Sequence, residues 1–230
     1  MELNIIISKN NLRSLILGTA QLVEAYGVTN RRGEQNLKNA KLLINRAIAL
    51  GIKRFDTSKS YYNAHKTLEL ISLNKVNSLT IIDKIKSESI KTISDSGYES
   101  YWPWLRVFSK HGGKVNLLIH DGHKYLNSEF RKDFIKCKEL KIVDKIGVSL
   151  YEFKHLEKIL DIGGLDIVQI PISIADRRFA SKKIINKLRS SRIEVHARSI
   201  LLQGLIINLP KSDVLKNSEY RKKFNRYKDY

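Results

Sequence analysis

The chain has 230 residues, of which 42% are hydrophobic and 28% are charged, a composition that excludes wholesale disorder. Lys and Arg together number 42 against 23 Asp and Glu, which gives a net charge of +19 and favours a polyanionic partner. Nucleic acid is not the partner we expect, because the basic residues are spread along the chain and neither a zinc-finger spacing nor a series of aromatics among the basic residues is present.

The sequence predicts neither a membrane-spanning helix nor a secretory signal. No apolar run approaches the roughly 18 residues of a membrane helix, and residues 1–10 have neither a basic start nor a small-residue cleavage site. Cys137 is the single cysteine, so an internal disulfide and a cysteine-based zinc cluster are excluded. We therefore expect a cytoplasmic protein with no membrane insertion and no metal site.

Strand-like and helix-like segments alternate along the chain. Residues 3–8 and 12–14 predict a small N-terminal hairpin that caps the fold. Apolar residues at helical spacing predict a helix over 36–50, ended by Gly51, and further helices over 127–140, 151–160 and 180–190. Short apolar runs, typical of strands covered on both faces, predict seven strands over 15–18, 52–56, 79–84, 115–120, 144–149, 166–171 and 193–199.

Repeated strand–helix units without a domain break predict an α/β fold, either a barrel or a doubly wound sheet. No strand is followed by G-x-G-x-x-G or G-x-x-x-x-G-K-[ST], the glycine-rich loops that bind nucleotides. Polar side chains instead stand at the carboxyl ends of the predicted strands, where a TIM (β/α)8-type barrel collects its active site. These residues are Asp56, Lys84, His120, Ser149, Gln169 and Ser199. We therefore predict the barrel.

Four groups able to bind or move a proton lie on three successive strand ends. Asp56, Lys84 and His120 each end a predicted strand, and Tyr61 follows Asp56 by five residues. A lysine at the end of an apolar strand requires a charge partner, and Asp56 of the neighbouring strand can provide it. The pattern predicts proton chemistry at this end of the barrel.

With these residues the sequence resembles the aldo-keto reductases. The resemblance covers nearly all of Leu15 to Leu205, and the matching segments follow the same order along the chain. Asp56, Tyr61, Lys84 and His120 match the Asp-Tyr-Lys-His catalytic set of that family residue for residue. The stretch 26–30 is similar to a bacterial branch often found among sugar and surface-polysaccharide enzymes. Residues 17–21 resemble the first strand of the family, and residues 145–149 resemble the strand whose serine contacts the nicotinamide carboxamide. Residues 168–171 resemble the strand after it, and residues 196–204 resemble the seventh strand.

The resemblance implies reversible reduction of a small carbonyl or sugar-type substrate by NADP(H), with NAD(H) as the alternative cofactor. Tyr61 would donate the proton, and the Lys84 cation would lower its pKa from the ordinary value of about 10. Asp56 would hold Lys84 in place, and His120 would orient the carbonyl. The residues implied to bind the cofactor are Gly18, Thr19, Asp56, Ser149, Gln169, Arg198 and Ser199.

Some positions depart from the family pattern. Leu150 follows Ser149 where many members have Asn, and Arg198 stands where many members place a Tyr under the nicotinamide ring. A planar guanidinium can stack in that place. Two histidines close to the predicted site in sequence, His65 and His123, are interpreted as surface residues.

No eighth strand is visible in the sequence. We predict an incomplete barrel over 1–205 and a basic tail over 206–230 that is helical or disordered. Residues 209–212 resemble the basic motif that binds the adenosine phosphate, but they follow the seventh strand too closely for that assignment. The expectation is a fragment or a barrel closed by another chain, with association through open edges.

Two other functions stay open at this stage. The first is a catalytically impaired or inactive barrel that serves as a binding or structural protein, and cofactor titration separates it from the enzyme. The second is a nucleic-acid-binding protein, which rests on the charge alone and predicts salt-dependent DNA binding.

Overall fold

The described part of the chain forms one curled parallel sheet with helices packed against it. In the computed structural model the described residues are 14–23, 36–61, 63–204 and 206. The predicted hairpin over 3–8 and 12–14, the motif at 26–30 and the predicted tail beyond residue 206 lie outside them, except for Ser14.

Seven strands of the described residues lie side by side, in parallel and in chain order. This is the arrangement of a TIM-type (β/α) barrel, and each strand begins and ends within two residues of its predicted bounds. The predicted fold class is therefore confirmed. The strands are β1 (Ile16–Gly18), β2 (Arg54–Ser58), β3 (Thr80–Ile85), β4 (Lys114–Ile119), β5 (Lys145–Ser149), β6 (Ile167–Pro171) and β7 (Glu194–Arg198).

The helix over Leu37–Ala49 begins at a side-chain cap and is followed by a glycine. The Asn36 side chain accepts a hydrogen bond from the backbone N–H of Asn39 at 2.9 Å, a cap typically worth about 1 kcal/mol. The same helix ends before Gly51, whose φ of +95° is the left-handed conformation that glycine adopts readily. The helices are α1 (Ala20–Val23), α2 (Leu37–Ala49), α3 (Ala64–Glu69), α4 (Ile90–Ser96), α5 (Trp104–Lys110), α6 (Ser128–Glu139), α7 (Phe153–Ile162) and α8 (Lys182–Ser190).

The alternation of side chains along each strand separates two cores. Ile81 faces outward, into the large core between the sheet and the helices. Ile82 faces inward and packs with Leu118 and Ile167 in a small cluster inside the barrel. Burial of each such side chain stabilises the fold by roughly 1.5–3 kcal/mol. Because Lys84 lies two residues beyond Ile82, it faces the interior as well.

A cluster of charges lies at the amino-terminal ends of the strands, inside the barrel. Glu194 of β7 lies 2.5 Å from Arg54 of β2, 2.8 Å from Lys145 of β5 and 3.0 Å from His196. The Arg54 ion pair crosses the interior, since β2 and β7 are not neighbours in the sheet. Burial alone would raise the pKa of Glu194, but hydrogen bonds from Lys145 and His196 outweigh it and lower the pKa to about 2.

Replacing Glu194 by Gln is expected to destabilise the protein near neutral pH and to have little effect near pH 2. A carboxyl whose pKa falls from 4.5 to about 2 on folding stabilises the folded state above its unfolded pKa, and this contribution is lost as the pH falls through the folded pKa. Because the side chain is partly exposed, we expect a loss of about 1–3 kcal/mol at neutral pH. Urea denaturation at several pH values measures the difference, and a pH-independent difference would contradict the cluster.

Candidate active site

Two of the predicted catalytic side chains form a buried ion pair inside the barrel. Lys84 of β3 donates through Nζ to Oδ1 of Asp56 on the neighbouring strand β2. Their side chains are only 5% and 13% exposed. Burial disfavours the Lys84 cation, yet Asp56 and Tyr61 outweigh this and raise the pKa of Lys84 above its ordinary value. The lysine is therefore charged at neutral pH, and its partner is the aspartate that the strand ends predicted.

Tyr61 lies against this pair, in the turn that follows β2. Its backbone N–H donates to the carbonyl of Ser58 at 3.0 Å, and its own carbonyl accepts from Ala64 at the start of α3 at 3.1 Å. Lys84 Nζ lies 5.2 Å from the centroid of the phenol ring. The structure thus brings Tyr61, Lys84 and Asp56 together.

The pKa of Tyr61 differs from the expectation. Burial raises it, and although the Lys84 cation acts to lower it, the net result is a pKa above the ordinary value of 10.0. The predicted lowering is thus wrong for this structure, because loss of solvation outweighs the attraction of one paired lysine. The phenol stays protonated throughout the neutral pH range.

A chain of hydrogen bonds extends from the ion pair across the barrel interior. The Gln169 amide on β6 donates through Nε2 to Oδ2 of Asp56 at 2.7 Å. Ser149 on β5 donates through Oγ to Oε1 of Gln169 at 3.1 Å. All three side chains face inward and are buried. Gln169, one of the two residues predicted to bind a carboxamide, therefore also holds the second carboxylate oxygen of Asp56, and Ser149, the other, bonds to Gln169.

His120 follows β4 and contacts a residue that the sequence analysis did not select. Its Nε2 lies 3.1 Å from the hydroxyl oxygen of Tyr151. Burial lowers the pKa of His120, and the cations Lys84 and Arg198 lower it further. His120 is therefore neutral near pH 7, with one ring nitrogen as donor and the other as acceptor.

Arg198, at the end of β7, stacks on the same tyrosine. Its guanidinium carbon lies 3.8 Å from the centroid of the Tyr151 ring. Nη2 donates to the Leu150 carbonyl at 3.2 Å and Nη1 to the Ser199 hydroxyl at 3.3 Å, whereas the buried Nε has no hydrogen-bond partner in the described part of the chain. In this structure the guanidinium stacks on a protein side chain, and its stacking against a nicotinamide ring stays a prediction.

The two predicted cofactor residues of the first strand behave differently. Gly18 ends β1, and a Cβ atom placed on it would meet nothing within 4 Å, so its backbone is open to a ligand. Thr19 is fully buried and donates through Oγ1 to Oγ1 of Thr57 at 2.9 Å. Thr19 thus supports the pairing of β1 with β2.

A pocket of about 500 Å³ opens beside His120, at the carboxyl ends of β3, β4 and β5. Its wall includes His120 and Ser149 of the predicted site, while most other lining side chains are charged or titratable. His123 is exposed, as predicted. The remaining lining residues are Lys86, Glu88, Asp121, Gly122, Leu150, Tyr151, Glu152 and His155.

The family model of the aldo/keto reductases matches residues 14–227. The chain belongs to the aldo/keto reductase family. Members of this family are oxidoreductases that use nicotinamide cofactors. No match to a curated protein sequence reaches significance.

Solved aldo-keto reductases share the fold at low sequence identity. A putative aldo-keto reductase from Pseudomonas aeruginosa is 17% identical with a TM-score of 0.59, and the match covers 78% of this chain and 70% of that one. An aldo-keto reductase from Bacillus halodurans in its holo form is 15% identical with a TM-score of 0.62, and the match covers 83% of this chain and 63% of that one. An aldo-keto reductase from Bombyx mori in complex with NADP is 16% identical with a TM-score of 0.56, and the match covers 80% of this chain and 62% of that one. The match thus spans less than two thirds of the length of the last two.

The polar groups of this aldo/keto reductase fit the carboxamide of a nicotinamide, which carries both N–H donors and an oxygen acceptor. Ser149 gives its proton to Gln169, so its oxygen is available to accept. The buried, unpartnered Nε–H of Arg198 and the second N–H of the Gln169 amide are available to donate. These three residues therefore offer the acceptor and donors that a carboxamide needs.

The prediction that His65 is a surface residue is wrong. Its side chain is 13% exposed, and its Nε2 lies 3.1 Å from Oδ1 of the fully buried Asp83. The imidazole stacks on Trp102, with ring centroids 3.5 Å apart. Asp83 precedes Lys84 on β3, and His65 follows Tyr61 by four residues. The pair therefore joins α3, which carries His65, to β3, the strand that carries the lysine.

Replacing His65 by Ala is expected to lower the free energy of unfolding by about 1–3 kcal/mol, because it leaves a buried carboxylate oxygen of Asp83 without its partner. The other oxygen still accepts from Tyr98 Oη at 2.6 Å, so the fold survives. His111→Ala is the matched control, since His111 is exposed. Chemical denaturation measures both, and equally small losses would contradict this role of His65.

Neither a metal-binding cluster nor a membrane-spanning helix is present in the described part of the chain. Within 14–23, 36–61, 63–204 and 206, no three His, Cys, Asp or Glu side chains are grouped in a way that could hold a metal ion. No helix of these residues has the length and apolarity needed to cross a membrane.

Proposed function

We propose that this protein is a nicotinamide-dependent oxidoreductase that reduces a carbonyl to an alcohol, with Tyr61 as the proton donor. The observation that carries the proposal is the buried Lys84–Asp56 pair next to a protonated phenol. Family membership supports the cofactor class. The reduced nicotinamide, when bound, supplies a hydride to the carbonyl carbon.

Tyr61 donates its phenolic proton to the carbonyl oxygen as that oxygen gains negative charge. Proton transfer leaves a tyrosinate beside Lys84, which is held cationic by Asp56. The attraction between the two charges offsets part of the effect of burial, which still leaves the Tyr61 pKa raised. The ion pair therefore lowers the energy of the state in which the proton has left.

His120 orients the carbonyl at the edge of the pocket. Its lowered pKa keeps the imidazole neutral, so it offers a hydrogen bond without adding a second cation beside Lys84. Ser149, Gln169 and Arg198 would hold the carboxamide of a bound nicotinamide and would thereby orient it relative to the substrate. Gly18 offers open backbone at the end of β1.

The substrate we propose is a small polar carbonyl compound, including sugar-type aldehydes. The charged lining of the pocket, with Lys86, Glu88, Asp121 and Glu152, supports a substrate that carries hydroxyl groups. We propose NADP(H) as the cofactor, with NAD(H) as the alternative, and a cytoplasmic setting in which the buried free thiol of Cys137 stays reduced.

We further propose that the protein associates through its open sheet edges. Within the described part of the chain, β1 pairs only with β2, and β7 pairs only with β6. Unpaired strand edges can pair with another chain. Light scattering over a range of protein concentrations tests this, and a monomer at all concentrations would contradict it.

Titration with NADPH, followed by its fluorescence, tests the proposed cofactor, and NADH serves as the comparison. Arg198→Gln should weaken binding by about tenfold or more, since a charge-assisted hydrogen bond is worth about 1.5–3 kcal/mol. Arg189→Gln is the matched control, because Arg189 lies on the exposed side of α8. Oxidation of NADPH in the presence of small hydroxyaldehydes measures turnover.

The outcomes separate the candidate functions. Binding followed by aldehyde-dependent oxidation of NADPH supports the enzyme. Binding without turnover of any carbonyl would favour an inactive barrel that acts as a binding protein. Absence of binding to either cofactor would overturn the proposal.

A further inference from the structure

Tyr151 lies between two residues of the candidate site. Its hydroxyl oxygen is 3.1 Å from His120 Nε2, and the two rings are inclined by only 21°. On its other side the ring stacks on the Arg198 guanidinium. Tyr151 is 51% exposed and lines the pocket, so the contact with His120 lies where a substrate would enter.

Arg198 restrains the tyrosine ring in this position. Its two terminal nitrogens donate to the Leu150 carbonyl, next to Tyr151 in the chain, and to the Ser199 hydroxyl. The guanidinium plane is thus held by two hydrogen bonds while it covers the phenol. A half-exposed tyrosine on a loop would otherwise sample several rotamers.

We propose that Tyr151 is a positioning residue for His120: its hydroxyl donates to Nε2, which places the imidazole proton on Nδ1 and fixes the ring at the edge of the pocket. The inference rests on the proposed function for its catalytic consequence, but its structural part is independent of turnover. In a neutral imidazole the hydrogen bond made by one nitrogen sets which nitrogen carries the proton. A substrate oxygen then meets a preorganised ring.

Several charged groups also face His120 and act on its protonation. Lys84 and Arg198 disfavour the imidazolium, whereas Asp56 and Asp121 favour it. Tyr151→Phe leaves all four unchanged and keeps the ring that stacks on Arg198. It removes only the O–H donor that stabilises neutral His120. The pKa of His120 should therefore rise in this variant, by about 0.5–1 unit for the loss of one ordinary hydrogen bond.

NMR of the protein with isotope-labelled histidine, recorded without cofactor, tests the structural part. We expect the proton on Nδ1 of His120 in the wild type, and a shift towards the other tautomer with a raised pKa in Tyr151→Phe. Loss of the His120 signals in His120→Gln assigns them. Tyr125→Phe is the matched control, since it removes a buried hydroxyl that donates to the Gly163 carbonyl at 2.8 Å, and it should leave His120 unchanged.

Kinetics test the catalytic part. Tyr151→Phe should lower kcat/KM about tenfold in the wild-type background and cause no further loss in His120→Gln, because it acts through His120. An unchanged His120 tautomer and pKa in Tyr151→Phe, or additive losses in the double variant, would overturn the inference. A changed tautomer in a protein that binds no nicotinamide would support the positioning and overturn the proposed function alone.

Discussion

Tyr61→Phe is expected to lower carbonyl reduction by at least about 10²-fold, the usual scale for the loss of a general acid. The variant keeps the ring beside Lys84 and removes only the hydroxyl group that carries the proton. Its stability and its affinity for NADPH should therefore stay close to those of the wild type. Steady-state kinetics with a small aldehyde measure the loss, and unchanged activity would exclude Tyr61 as the donor.

The pH dependence of the wild type gives a second check on Tyr61. Because burial raises the pKa of the phenol above 10.0, the protonated donor persists through the neutral range, and activity should fall only above about pH 10. Tyr125→Phe is the control for loss of a hydroxyl elsewhere. It should change stability rather than kcat.

Lys84→Met is expected to lower the free energy of unfolding by about 3–5 kcal/mol and to abolish measurable reduction. The substitution leaves Asp56 as a buried carboxylate without its cation, and breaking one side of a buried pair typically costs that much. The hydrogen bond from Gln169 to the other oxygen of Asp56 remains. Adding Asp56→Asn removes the buried charge and should restore part of the stability without restoring activity.

Urea denaturation of the two single variants and the double variant measures the coupling between Lys84 and Asp56. Lys138→Met is the matched control, because Lys138 forms an ion pair with Asp166 in which the lysine is 41% exposed. An exposed pair of this kind is worth about 0–1 kcal/mol. Additive losses in the double variant would show that Lys84 and Asp56 do not interact.

The strand ends were predictable because parallel strands buried on both faces are apolar until they reach the site. The run 79–84 ends on Lys84, and the run 115–120 ends on His120. Asp83 carries a comparable signal, a carboxylate within an apolar strand, but the sequence does not indicate which residue it pairs with. Its partner His65 lies in a polar stretch with no periodicity that would indicate burial, so only the structure shows their contact.

The sequence by itself determined the order of strands and helices, the class of fold and the pairing of Lys84 with Asp56, because these depend on local apolar patterns and on the ends of neighbouring strands. The tertiary structure alone decided the hydrogen bond from Gln169 to Asp56, which joins residues 113 positions apart, and the contact of Tyr151 with His120. It also decided that the Tyr61 pKa is raised, because desolvation depends on everything packed around the phenol and leaves no trace in the residues beside it in the chain.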